Sequence, residues 1–335
     1  MRDQVLIIAE AGVNHNGSMD TAKKLIDAAA EAGVDYVKFQ TFKADKMVTK
    51  TASRATYQDT NTRDKDSQFD MLKKLEISED MHLELIHYCQ SKKIKFLSTA
   101  FDLESLAFLK SLGLGLAKIP SGEITNLPYL RAMAKLFPEI ILSTGMANMD
   151  EIKAAFRVLI ENGTRLENIT ILHCNTEYPT PMGDVNLKAM LHIKKESGVE
   201  IGYSDHTLGI EVPIAAVALG AKVIEKHFII DKSIGGADCE FSMDKKDFRS
   251  MVQHIRETEK LLGTIDYAMN DKKSQSRNFS RSLYICKDIK EGEVFTQENI
   301  RSVRPGYGMH PKYLNDILGT KAKKSFSFAD RLEIE

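Results

Sequence analysis

Short apolar runs alternate with longer amphipathic ones along most of this chain, and the alternation repeats eight times. The apolar runs are Val5–Glu10, Tyr36–Gln40, Lys95–Thr99, Leu116–Pro120, Ile140–Thr144, Thr170–Cys174, Glu200–Ser204 and Lys222–His227, each of strand length. Helical periodicity fills the gaps at Met19–Ala32, Ser78–Ser91, Leu103–Leu112, Leu127–Leu136, Met149–Asn162, Leu187–Glu196, Ile210–Leu219 and Lys245–Leu262. Gly33, Gly113, Gly163, Gly198 and Gly220 fall where helices should end, as C-capping glycines do. Eight strand–helix units in about 260 residues match the arithmetic of a (β/α)8 TIM barrel better than that of a doubly wound sheet.

The polar residues support the barrel. Glu10, Lys38, Gln40, Thr99, Lys118, Ser143, His173, Ser204 and His227 all sit at or near predicted strand ends, where barrel chemistry collects and a plain core would be apolar. Thr41–Asp70 interrupts the rhythm with a polar insertion, expected as a short strand or loop over the mouth, in the role of a lid. After Gly263 the composition shifts to a charged, serine-containing stretch and then to short strand-like runs. The expected organisation is a catalytic barrel over 1–265, a linker over 266–281 and a small β-rich module over 282–335. A module of this size has a thin core and is expected to lean on a partner surface.

Composition excludes several classes. The 46 basic and 47 acidic residues nearly cancel, so neither nucleic acid nor membrane adhesion is indicated. Cys89, Cys174, Cys239 and Cys286 are far apart without CxxC spacing, which suits reduced thiols rather than a disulfide framework. No signal peptide or long apolar run is evident, and the expectation is a cytoplasmic protein.

His206 and His227 close two consecutive predicted strands. On neighbouring barrel strands they would project from one face, and two imidazoles there can bind a divalent metal while leaving positions open to substrate. The alternative is a buried hydrogen-bonded histidine and a loop histidine. Lys38 and Lys118 lie inside apolar strands, where an ammonium group needs an anion, either a substrate or a structural glutamate such as Glu10 or Glu123. Thr99, Ser121, Ser143 and the Ser143-Thr144-Gly145 turn could add donors for a phosphate. A Schiff-base role for Lys118 or Lys38 is the sharper alternative. Glu10 and Glu123 are the candidate proton-transfer groups, and Asp238 follows the last strand closely enough to reach the same mouth.

Taken in order, Glu10-Ala-Gly-Val-Asn14-His15-Asn16-Gly17, Val37-Lys-Phe-Gln40, Lys118-Ile-Pro-Ser-Gly-Glu123, Ser143-Thr-Gly-Met146, His173-Cys174, Tyr178-Pro-Thr-Pro181, Tyr203-Ser-Asp-His206 and Glu225-Lys-His227 resemble the sialic acid synthase family. The tail Arg304-Pro-Gly-Tyr-Gly-Met309 resembles that family's C-terminal antifreeze-like (SAF) domain. The resemblance implies condensation of phosphoenolpyruvate with an N-acetylated mannosamine-type sugar, a metal-dependent reaction that releases phosphate. It implies His206 and His227 as ligands of Mn²⁺ or Mg²⁺. Lys38, Lys118, Thr99, Ser121 and Ser143 would surround phosphoenolpyruvate. Glu10, Gln40, Glu123, Tyr178, Ser204 and Asp238 would serve the sugar, the metal water or the proton transfers. It further implies a domain-swapped homodimer in which Arg304 reaches the partner's acyl sugar.

One segment narrows the acceptor. Synthases acting on N-acetylmannosamine often carry Thr-Asn after the His-Cys pair, whereas this chain has Asn175-Thr176-Glu177-Tyr178. That version resembles synthases acting on 2,4-diacetamido-trideoxy sugars, which make legionaminic or pseudaminic acid. Glu177 could accept a hydrogen bond from the additional amide. The expectation is N,N'-diacetyllegionaminate synthesis, with N-acetylneuraminate synthesis as the alternative; pseudaminate synthesis or a Schiff-base aldolase follows behind.

Overall fold

The computed structural model describes residues 4–333 apart from 55–57, 60–65, 265, 266 and 269. The chain divides into two compact units, one ending at Gly263 and the other beginning at Thr264. In the first, eight parallel strands form a nearly closed barrel: β1 (Leu6–Gly12), β2 (Tyr36–Thr41), β3 (Lys95–Ala100), β4 (Leu116–Ile119), β5 (Glu139–Ser143), β6 (Ile169–Cys174), β7 (Glu200–Asp205) and β8 (Val223–Ile229). Hydrogen-bonded neighbours run β3-β2-β1-β8-β7-β6-β5-β4, and β3 lies against β4 where the ring closes. A two-residue strand β9 (Met243–Asp244) pairs in parallel with the end of β8, off the ring.

Local chemistry sets the helix ends. Ser18 caps Met19–Ala32 by accepting from Thr21 N, and Gly33 ends that helix at φ +78°, a conformation glycine adopts without penalty. Asn148 opens Met149–Glu161 with a reciprocal capping box to Glu151.

Side-chain alternation along each strand builds two layers of core and then the site. Ile7 and Ala9 point outward into the large core between barrel and helices. Leu6, Ile8, Leu97, Leu116, Ile141, Leu172 and Val223 point inward and fill the lower barrel. Two residues further along the same strands, the inward positions turn polar: Glu10, Lys38, Thr99, Lys118, Ser143, Ser204 and Glu225, all buried. The apolar layer is thus the floor of a polar cavity.

The insertion after β2 differs from the expected strand or loop. Its described part contains the helices Ala44–Met47 and Gln68–Leu75. Met71, Leu72 and Leu75 pack with Val13, Phe42, Ala44 and Ala237 in a separate apolar cluster. Tertiary burial makes helices of segments too short to be helical alone. The expected lid also spans 55–57 and 60–65, which lie outside the described residues.

In the second unit, β10 (Ser282–Ile285) pairs antiparallel with β11 (Ile300–Val303). Bridges Ile289–Phe326 and Val294–Lys321 tie the later segments in, over a core that includes Leu283, Ile285, Ile289, Phe295 and Ile300. Part of the expected linker is helical, at Asp271–Gln275. No helix among the described residues is long and apolar enough to cross a membrane.

Candidate active site

The inward polar layer opens into a cavity of about 250 Å³ at the C-terminal ends of the strands. Of the residues expected from sequence, Glu10, Lys38, Gln40, Thr99, Lys118, Ser121, Ser143, Tyr178, Ser204, His206, His227 and Asp238 all line it. Glu123 does not; it is half-buried in the Ser121–Glu123 turn, where its Oε2 accepts from Asn126 Nδ2 at 2.5 Å. Arg304 belongs to the second unit and is exposed.

One arc of the wall, β2 to β5, gathers cations and hydroxyls. Lys38 Nζ donates to Thr99 Oγ1 at 2.9 Å. Ser121 Oγ accepts from Gly145 N at 2.9 Å and lies 3.1 Å from Cys174 Sγ. Ser143 Oγ is buried without a hydrogen-bond partner, a donor left for something that enters the cavity. An anion bearing several oxygens matches this arc.

Glu225, on β8, was missed as a site residue, although it stands in the recognised Glu-Lys-His motif. The signal was present: His227 faces inward, so Glu225, two residues earlier, does too. Its carboxylate lies 3.5 Å from Lys38 Nζ and 3.6 Å from Lys118 Nζ, and it accepts from Ser204 Oγ at 3.0 Å. Burial opposes ionisation here, but the two ammonium groups outweigh it and bring Glu225 down to about 2. Glu10 pairs with Lys38 at 2.5 Å. Burial nevertheless dominates and pushes the Glu10 carboxyl up to about 7, with Lys38 opposing and Glu225 reinforcing the rise. For Lys38, burial disfavours the charge, but Glu10 and Glu225 together raise it. For Lys118 burial wins and the ammonium is pushed down.

The other arc, β7 to β1, carries the histidines. Their ring centroids are 5.5 Å apart. His206 Nδ1 bonds to the Asn175 carbonyl at 2.8 Å, which fixes the ring and leaves Nε2 as a lone-pair donor. Burial lowers His206 to about 4 and holds His227 well below the usual imidazole range, so both are neutral. His227 Nδ1 is buried without a hydrogen-bond partner, 3.5 Å from Asp238 Oδ2. Burial raises that carboxyl to about 6. Two neutral imidazoles this close are a donor set that a single divalent ion would take. Among the described residues no group of three or more His, Cys, Asp and Glu is gathered for an ion.

The segment after β6 divides its roles. Asn175 is committed to the scaffold, through its carbonyl to His206 and its Nδ2 to the Asp184 carbonyl at 2.8 Å. Thr176 lines the main cavity, and the exposed Glu177 lines an adjoining cleft of about 310 Å³ shared with Met146, Cys174 and Thr176. His173 is occupied by the Val185 carbonyl at 2.9 Å and does not line the main cavity.

The NeuB family model matches residues 25–267, and the SAF domain model matches residues 280–327. The chain is 48% identical to an N,N'-diacetyllegionaminic acid synthase of Campylobacter jejuni over 96% of its own length and 97% of that protein's. It is 45% identical to an enzyme of the same name from Legionella pneumophila, over 96% and 91%. Among solved structures, the N-acetylneuraminic acid synthetase of Leptospira borgpetersenii superposes with a TM-score of 0.71 at 32% identity, over 82% of this chain and 91% of that one.

Proposed function

The chain belongs to the NeuB family and carries a C-terminal SAF domain, and on that premise we propose that it condenses phosphoenolpyruvate with 2,4-diacetamido-2,4,6-trideoxymannose to form N,N'-diacetyllegionaminic acid and phosphate. The acceptor rests on one observation: the relatives at 48% and 45% identity, matched nearly end to end, are both named for that product. The solved N-acetylneuraminic acid synthetase stands at 32%.

His206 and His227 would hold Mn²⁺ or Mg²⁺, a Lewis acid that polarises the sugar aldehyde when bound. Lys38 and Lys118 receive the carboxylate and phosphate of phosphoenolpyruvate, with Thr99, Ser121 and Ser143 supplying hydroxyl contacts. The C2–C3 π pair of phosphoenolpyruvate forms the new bond from carbon 3 to the aldehyde carbon as the aldehyde C=O π bond opens. The aldehyde oxygen takes up a proton to become a hydroxyl, and carbon 2 is left as an oxocarbenium centre. Water adds at carbon 2, and the resulting tetrahedral centre expels phosphate by C–O cleavage to leave the keto group. Glu10, inside the cavity, accepts the water proton. Gln40, Tyr178, Ser204 and Asp238 orient the sugar. The proposal extends to a cytoplasmic, domain-swapped homodimer in which Arg304 acts on the acyl sugar of a second copy.

Phosphate release is to be measured with each sugar under Mn²⁺. The expected result is a higher kcat/KM for the diacetamido sugar than for N-acetylmannosamine; the reverse order would replace the acceptor with N-acetylmannosamine. Oxygen-18 in the bridging C–O bond should leave with phosphate, and label retained in the sugar product would overturn the chemistry. The depressed Lys118 favours one second reading, a Schiff-base aldolase. Borohydride trapping of pyruvate on the enzyme would establish that reading instead.

A further inference from the structure

Behind the cavity, on the outward faces of β7 and β8, lies an ion pair that the chemistry above does not use. Lys226 and Asp205 are register partners on adjacent strands, and each is 1% exposed. Lys226 Nζ donates to Asp205 Oδ2 and, at 2.6 Å, to the Thr207 carbonyl. Asp205 Oδ1 accepts from Thr207 N at 2.9 Å and from Thr207 Oγ1 at 2.8 Å. One ammonium group therefore grips the chain on both sides of His206, from a strand position next to His227.

On the inward face the preceding register pair is also coupled, by the hydrogen bond from Ser204 to Glu225. The two strand ends are thus fastened on both faces immediately before the two imidazoles. A buried ion pair seldom improves stability over an apolar pair of the same volume, and its best-attested use is to fix register. Apolar contacts would let β7 and β8 slip by fractions of an ångström, whereas bonds to Asp205 Oδ2 and the Thr207 carbonyl are directional. We propose that Lys226 and Asp205 are positioning residues, forming a clasp that holds His206 and His227 at the separation needed to share one cation.

This inference rests on the reading of the two histidines as metal ligands, and the experiment separates the two. Full-length, metal-stripped enzyme is titrated with Mn²⁺ while the free-ion paramagnetic resonance signal is followed, for wild type, His227→Ala, Asp205→Asn/Lys226→Met and Asp205→Asn. The double variant keeps volume and an acceptor for Thr207 but removes both charges. Wild type is expected to bind and His227→Ala to lose binding. The double variant should bind about 10–100-fold more weakly, the range typical when an outer-shell partner of a metal ligand is lost. Its turnover should return as Mn²⁺ is raised, a recovery that general structural damage would not give. A Kd within twofold of wild type in the folded double variant would overturn the clasp while leaving the metal reading intact. Wild-type affinity that survives His227→Ala would overturn the metal reading, and the clasp with it. Should the double variant not fold, Asp205→Asn alone carries the test: several-fold weaker binding supports the clasp, and unchanged binding overturns it.

Discussion

Gly12 shows how tightly the cavity is drawn around single atoms. It sits at φ +51°, where β1 shifts register against β2, and a Cβ there would lie 2.8 Å from Asp238 Oδ2, 3.3 Å from Glu10 Oε1 and 3.4 Å from His227 Cε1. Gly12→Ala adds backbone strain, forces Asp238 to shift and crowds Glu10. Turnover is expected to fall at least about tenfold with a stability loss of about 1–3 kcal/mol, checked by steady-state kinetics and a denaturant melt on the same preparation. At this scale a polar residue interrupting an apolar strand marks the cavity wall, and Lys38 and Lys118 both line it. Glu225 is legible by the same strand parity, which places it inward with His227 two residues on. Strand parity could not have placed Glu123, which lies in a turn beyond β4.

The turn joining β1 to the helix Met19–Ala32 holds another buried histidine. His15 is fully buried, and its Nδ1 accepts from Gly17 N at 3.0 Å. Burial lowers it from 6.5 to about 4. A depressed folded-state pKa means the unfolded chain takes up the proton first, so the contribution is complete above pH 6.5 and is lost as pH falls through about 4. That amounts to about 3 kcal/mol across the window. His15→Asn, which keeps an acceptor for Gly17 but does not titrate, should show a flatter stability profile between pH 6.5 and 4. Parallel melts of the two proteins check this, and identical slopes would exclude His15 as the source. Strands and outer helices were legible because each carries its own period. The helices of the insertion were not: Ala44–Met47 and Gln68–Leu75 are short, and their helicity comes from burial against the neighbouring Phe42 and against Val13 and Ala237, residues distant in sequence.

For the whole molecule, the proposed action of Arg304 across copies can be tested by mixing. Glu10→Ala and Arg304→Ala subunits, each inactive alone, are denatured together and reassembled. If the arginine acts in trans, half the dimers are mixed and each regains one intact site, so roughly a quarter of all sites recover. Activity that stays at the level of the separate variants, with mixed dimers verified, would refute it. The division into a barrel and a β-rich module was readable from the break in rhythm after Gly263. What composition could not convey is where the charges balance. The chain has a net charge of −1, and Lys38, Lys118, Glu10 and Glu225 offset one another inside the cavity. An anionic substrate therefore enters as an exchange partner, taking over ammonium groups already held by internal carboxylates. Recognition of this kind is shielded from the ionic strength of the medium, because the competing counter-ions are part of the protein.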